Sequence, residues 1–286
     1  MKDVILDTLL DVARLVPFLY LTYLLMEFLE HHAGGRLRRA LSGSGRVGPL
    51  VGGCLGAIPQ CGFSAAASGL YAGRLITTGT LIAVYLSTSD EMLPIMLSHG
   101  VFPWKLLLGK IVIGLTVGFA ADGIGSLFRK KKGTPDQSSI EDICEREHCH
   151  CGDHIALSAL RHTLRIAVFL LIAAFLLNTG VHFLGEERLA AIVSSNRPLA
   201  TLLAAVVGLI PNCAASVVLT ELYLDEIIGV GTLFAGLLVN AGVGLLVLFR
   251  NNRPVRDSFR ILAILLAAGL FFGFLIEWTP IAGWLR

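Results

Sequence analysis

The chain has 286 residues, 55% of them hydrophobic and only 15% charged, with a mean hydropathy of +0.74 and a formal net charge of +2. A soluble globular domain carries about 25% charged residues. The deficit therefore argues against an ordinary soluble domain and for lipid as the solvent, and the lack of a basic stripe argues against a nucleic-acid partner.

In chain order, the opening MKDVILD is followed by no small-residue cleavage site, so no removable signal peptide is expected. Since about 20 apolar residues cross a bilayer core, eight runs read as membrane segments: Leu9–Leu29, Val47–Tyr71, Thr78–Leu97, Leu106–Phe128, Thr163–Phe183, Leu199–Leu224, Gly229–Phe249 and Ile261–Trp284. The six cysteines do not spell a disulfide framework. Cys54, Cys61 and Cys213 sit in apolar runs, and Cys144, Cys149 and Cys151 share one polar loop with histidines. That loop holds Cys144, His148, Cys149, His150, Cys151 and His154, enough soft donors to close a four-ligand metal site, although the spacing is not that of a zinc finger. It reads either as a metal-binding loop or as a polar linker.

Two stretches align without a gap at an offset of 152, one starting at Gly56 and the other at Gly208. Fourteen of 42 pairs are identical. Apolar bias would match a few Leu, Ala and Val, but not Pro59/Pro211, Cys61/Cys213, Ser64/Ser216, Tyr71/Tyr223 and Thr80/Thr232 in register. Farther out, Arg14, Glu27 and His31 meet Arg165, Asn178 and His182, and Asp122 meets Glu277. The expected organisation is membrane repeat 1 over 1–128, a Cys/His-rich linker over 129–161, and membrane repeat 2 over 162–286. Repeats of this kind are a common build for secondary transporters.

Charge then sets the orientation. Arg36, Arg38, Arg39 and Arg46 follow the first run, whereas the matching loop holds Glu186, Glu187, Arg188 and Arg197. Arg74 matches Glu226, beside Asp225. Ser98–Pro103 has no Lys or Arg, whereas its counterpart has Arg250, Arg253, Arg256 and Arg260. Where one half is basic the other is not, the pattern of opposite orientation under the positive-inside rule. With the basic stretch at Arg129–Lys132 inside, each half must cross an odd number of times. One of its four runs is therefore not a simple crossing. Pro59 and Pro211 mark that run, because proline removes a backbone donor and breaks a helix. The expected fold is an all-α polytopic membrane protein of two inverted-topology repeats. Each repeat contains a Pro-broken helix or re-entrant hairpin, with about eight to ten membrane helices in total.

Irregular backbone at membrane depth is tolerated only where protein or a water-filled cavity surrounds it, so the broken tips are the candidate ion pathway. They supply Gln60, Cys61 and Ser64 in the first half, and Asn212, Cys213 and Ser216 in the second. The following runs add Ser87, Ser89, Asp90 and Glu91, with Asn240 mirroring Thr88. Adjacent carboxylates inside a span are costly and mark cation or proton pathways. Carboxylate, carboxamide and hydroxyl oxygens suit divalent cations such as manganese, while a Cys61/Cys213 pair suits a soft ion such as arsenite. The competing reading makes the cysteines packing residues, the amides caps, and the hydroxyls partners of their own helices. Glu27, His31, Asn178 and His182 form a candidate relay, or a solvated helix end.

The segment PQCGFSAAASGLYAGRLITTGTLIAVYLSTSDEMLPI, the His148–Cys151 loop leading to His162-Thr163, and PNCAASVVLTELYL with VNAGVG resemble the ten-helix heavy-metal exporter family throughout. Members of that family go by arsenic efflux protein or manganese transporter. The resemblance implies an integral membrane exporter and leaves the ion open. The functional expectation is export of a divalent cation from the cell across the inner membrane, coupled to a proton gradient, with the linker in the cytoplasm. No nucleotide-binding loop is present. No His-Glu-x-x-His occurs and Ser64 has no evident base, so no enzyme is expected. The partners expected are a small inorganic ion and the bilayer, with no cofactor beyond a metal ion on the central loop. A membrane metal sensor acting through that loop is the remaining alternative.

Overall fold

The computed structural model describes residues 9–10, 12–13, 16–17, 19–24, 47–58, 61–89, 91–129, 155–184 and 197–285. Among these, all regular structure is helical: α1 Gly48–Gly56, α2 Cys61–Ala72, α3 Thr78–Ser87, α4 Met92–Ser98, α5 Trp104–Arg129, α6 Ile155–Leu184, α7 Arg197–Gly208, α8 Cys213–Leu224, α9 Val230–Val239, α10 Gly244–Asn251, α11 Val255–Trp278 and α12 Ile281–Leu285. Four segments are long and apolar enough to cross a membrane: Trp104–Gly125, Ala159–Leu176, Val230–Asn251 and Val255–Trp278. Val230–Asn251 is 89% buried within the protein, the other three only 22–33%. The first is therefore a central element, while α5, α6 and α11 turn apolar side chains such as Val112, Ile172 and Phe271 outward.

Small residues bring these helices together. Lipid is as apolar as leucine, so helices in a membrane associate through close packing, and Gly-x-x-x-Gly lets backbones approach. On α5, a methyl at Gly114 would run into Ser87 Oγ, and one at Gly118 would meet the Gly79 carbonyl at 2.7 Å. On α11, methyls at Gly269 and Gly273 would meet the Ala235 and Gly231 carbonyls at 2.9 and 3.0 Å. Thus α5 lies on α3, and α11 lies on α9. Helices α1 and α7 complete the two layers against α3 and α9.

Carboxylates stand at the starts of α3 and α9. Asp122 on α5 accepts from Thr77 Oγ1 at 2.6 Å and from Gly79 N at 2.7 Å, while Thr77 itself caps α3 by accepting from Thr80 N at 3.1 Å. Glu277 on α11 lies where any side chain at Gly229 or Gly231 would have to be. A negative charge at a helix N-terminus is favourable. Asp122→Ala strips an acceptor from both a hydroxyl and a backbone amide, and is expected to cost about 1.5–3 kcal/mol, measured as a lower unfolding midpoint in detergent.

The runs Thr78–Leu97 and Gly229–Phe249, expected as single crossings, are each interrupted. Helix α3 stops at Ser87 and α4 starts at Met92; α9 stops at Val239 and α10 starts at Gly244. The local chemistry explains the second bend. Asn240 Oδ1 accepts from Gly242 N at 2.9 Å, and Gly242 takes φ +53°, a left-handed conformation that glycine adopts without a Cβ penalty. Helix also gives way around the prolines. Helix α7 stops at Gly208, Pro211 lies in the turn, and α8 begins at Cys213; α1 stops at Gly56 and α2 begins at Cys61.

Helices α2 and α8 end alike. Arg74 and Glu226 hold φ of +60° and +59°, and Leu75 N donates to Leu70 O as Ile227 N does to Leu222 O, both at 2.9 Å. This is the bond of a Schellman-type stop. Across the layers, α2 packs on α10, α4 on α8, and α3 touches α9.

Candidate functional site

Where the α3–α4 and α9–α10 interruptions approach α5, the interior becomes polar. Lys110, on α5, is only 1% exposed. Its Nζ donates to the Thr88 carbonyl and, at 3.1 Å, to the Leu237 carbonyl. Thr88 is the residue capping the end of α3 and Leu237 lies in the last turn of α9. The last carbonyls of a helix lack intrahelical partners and carry its negative end, so an ammonium between two such ends satisfies both. Lys110 is not among the candidates read from the sequence, although the signal is there: an ionisable residue within an apolar run is a functional flag.

Ser87 Oγ is fully buried and makes no hydrogen bond. It packs toward Gly114, one helical turn from Lys110 on α5. Ser89, also buried, donates to the Ala57 carbonyl at 3.2 Å and so joins the α3–α4 bend to the end of α1. Glu91 is half-buried just before α4. Thr88 Oγ1 donates back to Val84 O at 2.7 Å.

A second cluster lies on the other side of α3. Ser68 Oγ contacts Tyr85 OH at 2.6 Å and both reach the Gly244 carbonyl, at 2.8 and 3.1 Å. Ser64 is fully buried beneath Gly244, and its carbonyl accepts from Ser68 Oγ at 2.6 Å. The bend before α10 is thereby tied to α2 and α3. Ser68 and Tyr85 are likewise absent from the sequence candidates; a lone hydroxyl in an apolar run carries no pattern that tells a cross-link from a back-bond to its own helix.

In the second half, Asn212 is buried and directly precedes α8 with an extended backbone. Cys213 is half-buried at the first position of α8 and forms no disulfide, and Ser216 Oγ donates to the Cys213 carbonyl at 2.7 Å. Asn240 is buried and holds its own bend. Cys61 opens α2, but its side chain lies outside the described residues, as do those of Asn178 and His182 in α6. Gln60, Asp90, Glu27 and His31 lie outside them altogether, together with Cys144, His148, Cys149, His150, Cys151 and His154. Among the described residues, no three His, Cys, Asp or Glu side chains come together in a metal-binding group.

A cavity of about 320 Å³ lies between α1, α2 and α3, but its lining, from Val51 and Leu55 to Phe63 and Val84, is almost wholly apolar and offers an ion few ligands. The chemistry lies instead at the helix interruptions. They provide backbone carbonyls, a buried hydroxyl, a carboxylate in the adjoining bend and one buried ammonium. Such a set can hold a cation through oxygen atoms. Compared with protein families, with curated proteins and with solved structures, the chain matches none.

Proposed function

We propose that the chain is a secondary transporter that exports a metal ion across the inner membrane. On this reading the substrate is a divalent cation such as manganese, and a proton gradient drives its export. The observation that carries the reading is the meeting of two interrupted spans around a buried charge. Interrupted helices at membrane depth are how many secondary transporters expose backbone oxygens to an ion. The donors gathered here, the Thr88 and Leu237 carbonyls with Ser87 Oγ and Glu91 in the same bend, are hard oxygen ligands suited to such a cation.

The chain is read as two halves of opposite orientation, 1–128 and 162–286, joined by a cytoplasmic linker over 129–161. Support comes from Arg74, which donates to the Arg253 carbonyl at 2.7 Å and lies 3.7 Å from Asp257. Arg74 precedes the first interrupted span, and Arg253 follows the second. Parallel halves would share a face at the starts of both spans; here a start meets an end. Arg74 thereby joins Arg250, Arg253, Arg256 and Arg260, a basic group suited to the cytoplasmic face. Helix α5 runs back toward that face and ends at Arg129.

A second reading, arsenite efflux, is favoured by the occurrence of Cys61 and Cys213 as the first residues of α2 and α8, each just after an interruption. Thiols prefer a soft ion. Proteoliposomes with an imposed pH gradient test both. Manganese flux that collapses in Asp90→Asn and survives in Cys61→Ser/Cys213→Ser supports the first reading; arsenite flux with the reverse sensitivity supports the second. Absence of flux for both ions defeats the transporter reading. Deletion of Cys144–His154 is expected to leave flux in place, whereas a sensor acting through that loop loses its metal response.

A further inference from the structure

We infer that Lys110 is a tethered cation occupying the cation site of this protein, so that a transported cation binds by displacing its ammonium. The inference rests on the transporter reading and names the contested ligands: the Thr88 and Leu237 carbonyls.

Three observations carry it. The ammonium bridges carbonyls at the ends of α3 and α9, from helices on opposite sides of the linker. Both oxygens lie at the negative ends of their helices, where any cation is stabilised. Ser87, the residue before Thr88 on α3, holds a buried Oγ without a hydrogen-bond partner against Gly114, which is one turn along α5 from Lys110. A buried hydroxyl without a partner is an unused ligand.

The fold itself does not require a cation at this depth. At the offset of 155 that pairs Asp122 with Glu277, Gly114 pairs with Gly269, Gly118 with Gly273, and Lys110 with Leu265. The glycines make equivalent contacts in both layers, against Ala83 and Ala235 among others. Leu265 is as fully buried as Lys110 and contributes no charge. One layer thus packs with an aliphatic side chain where the other spends a buried ammonium, so the charge serves the site between the layers.

An ammonium and a metal ion are both attracted to these oxygens and repel each other at contact distance, strongly so in a medium of low dielectric constant. They exclude one another. In the state described here Lys110 holds the two helix ends together; an incoming cation takes over the carbonyls and releases them from the lysine. The other ionisable groups on the surrounding elements are Tyr85 on α3, engaged with Ser68 and Gly244, Glu91 in the bend, and the exposed thiol of Cys54 on α1; α9 brings no acid or base.

The test uses purified full-length protein with MnCl2 alone as the probe. Wild type, Lys110→Met and Lys110→Arg are melted at graded MnCl2, and the same preparations are assayed for manganese flux. A ligand that binds the folded state raises the melting temperature with its concentration. Lys110→Met vacates the carbonyls and is expected to bind manganese at least tenfold more tightly than wild type. Lys110→Arg presents a fork of five donors that grips both carbonyls and is expected to bind manganese at least tenfold more weakly, with flux falling in proportion. Folded Lys110→Met with wild-type or weaker manganese dependence overturns the inference, as does Lys110→Arg that binds and exports like wild type. If Lys110→Met does not fold, the arginine variant alone decides in the same way. Failure of the transporter reading looks different: no preparation moves manganese, while the gain of binding in Lys110→Met persists.

Discussion

Gly118→Leu is expected to yield no monodisperse protein after extraction in detergent, whereas Gly123→Leu, on the same helix, behaves like wild type. The argument is steric. A Cβ at Gly118 would come within 2.7 Å of the Gly79 carbonyl and 3.0 Å of the Ala83 methyl, while a Cβ at Gly123 meets nothing within 4 Å. Overfilling a packed contact costs typically 1–3 kcal/mol where side chains can shift, and here the obstacle is backbone. Backing α5 away from α3 would also pull Asp122 off Thr77 and Gly79 and Lys110 off Thr88. Gly273→Leu should fail in the same way, because its Cβ would press on Ala235 and the Gly231 carbonyl. Size-exclusion profiles of the three variants check the expectation. A folded Gly118→Leu would mean that α5 does not lie on α3 as described.

These contacts bear on what the sequence made legible. The helical class and the membrane setting follow from a charged fraction of 15% and long apolar runs. The breaks near Pro59 and Pro211 were legible because proline carries its own backbone rule. The interruptions at 88–91 and 240–243 were not drawn from the sequence, although Ser87-Thr88-Ser89-Asp90-Glu91 and Asn240-Ala241-Gly242 fall in mid-run. The reason is that a polar cluster in a span is compatible with a continuous helix whose hydroxyls bond back to it, as Thr88 does to Val84. Only the Asn240–Gly242 turn and the positive φ of Gly242 distinguish the two cases.

At Lys110 the buried charge was legible in the sequence, but its partners were not. Its partners are backbone carbonyls, 22 and 127 residues away in the chain. No residue type at Thr88 or Leu237 announces that its carbonyl will be orphaned; that depends on where the helix ends. Acidic residues stand out in a sequence as ion ligands because they carry formal charge, yet the described polar centre is built mostly from main-chain oxygens. Sequence patterns report side chains and miss sites made by interrupting a helix.

The proposed opposite orientation of the halves leads to the second large effect. Cysteine introduced at Arg74 or Arg253 is expected to react with a membrane-impermeant maleimide only from the cytoplasmic side, and cysteine at Glu226 or His99 only from the outside. Arg74 is bonded to Arg253, which fixes these two at one face. Glu226 closes α8 with the same left-handed turn as Arg74 closes α2, but α8 packs against α4, whose end is His99. The start of each interrupted span therefore neighbours the end of the other, and charge assigns the faces: Arg250, Arg253, Arg256 and Arg260 to the inside, Asp225 and Glu226 to the outside. Labelling of inside-out and right-side-out vesicles, read as a mass shift with a polymer-linked maleimide, should invert completely between the two pairs. Native Cys54, Cys61, Cys144, Cys149, Cys151 and Cys213 are first replaced by serine, so that the mass shift reports the introduced thiol alone. If the Arg74→Cys and Glu226→Cys variants label from the same side, the halves are parallel, the carbonyl ends of α3 and α9 do not approach from opposite faces, and alternating access by exchange between equivalent halves loses its geometric basis.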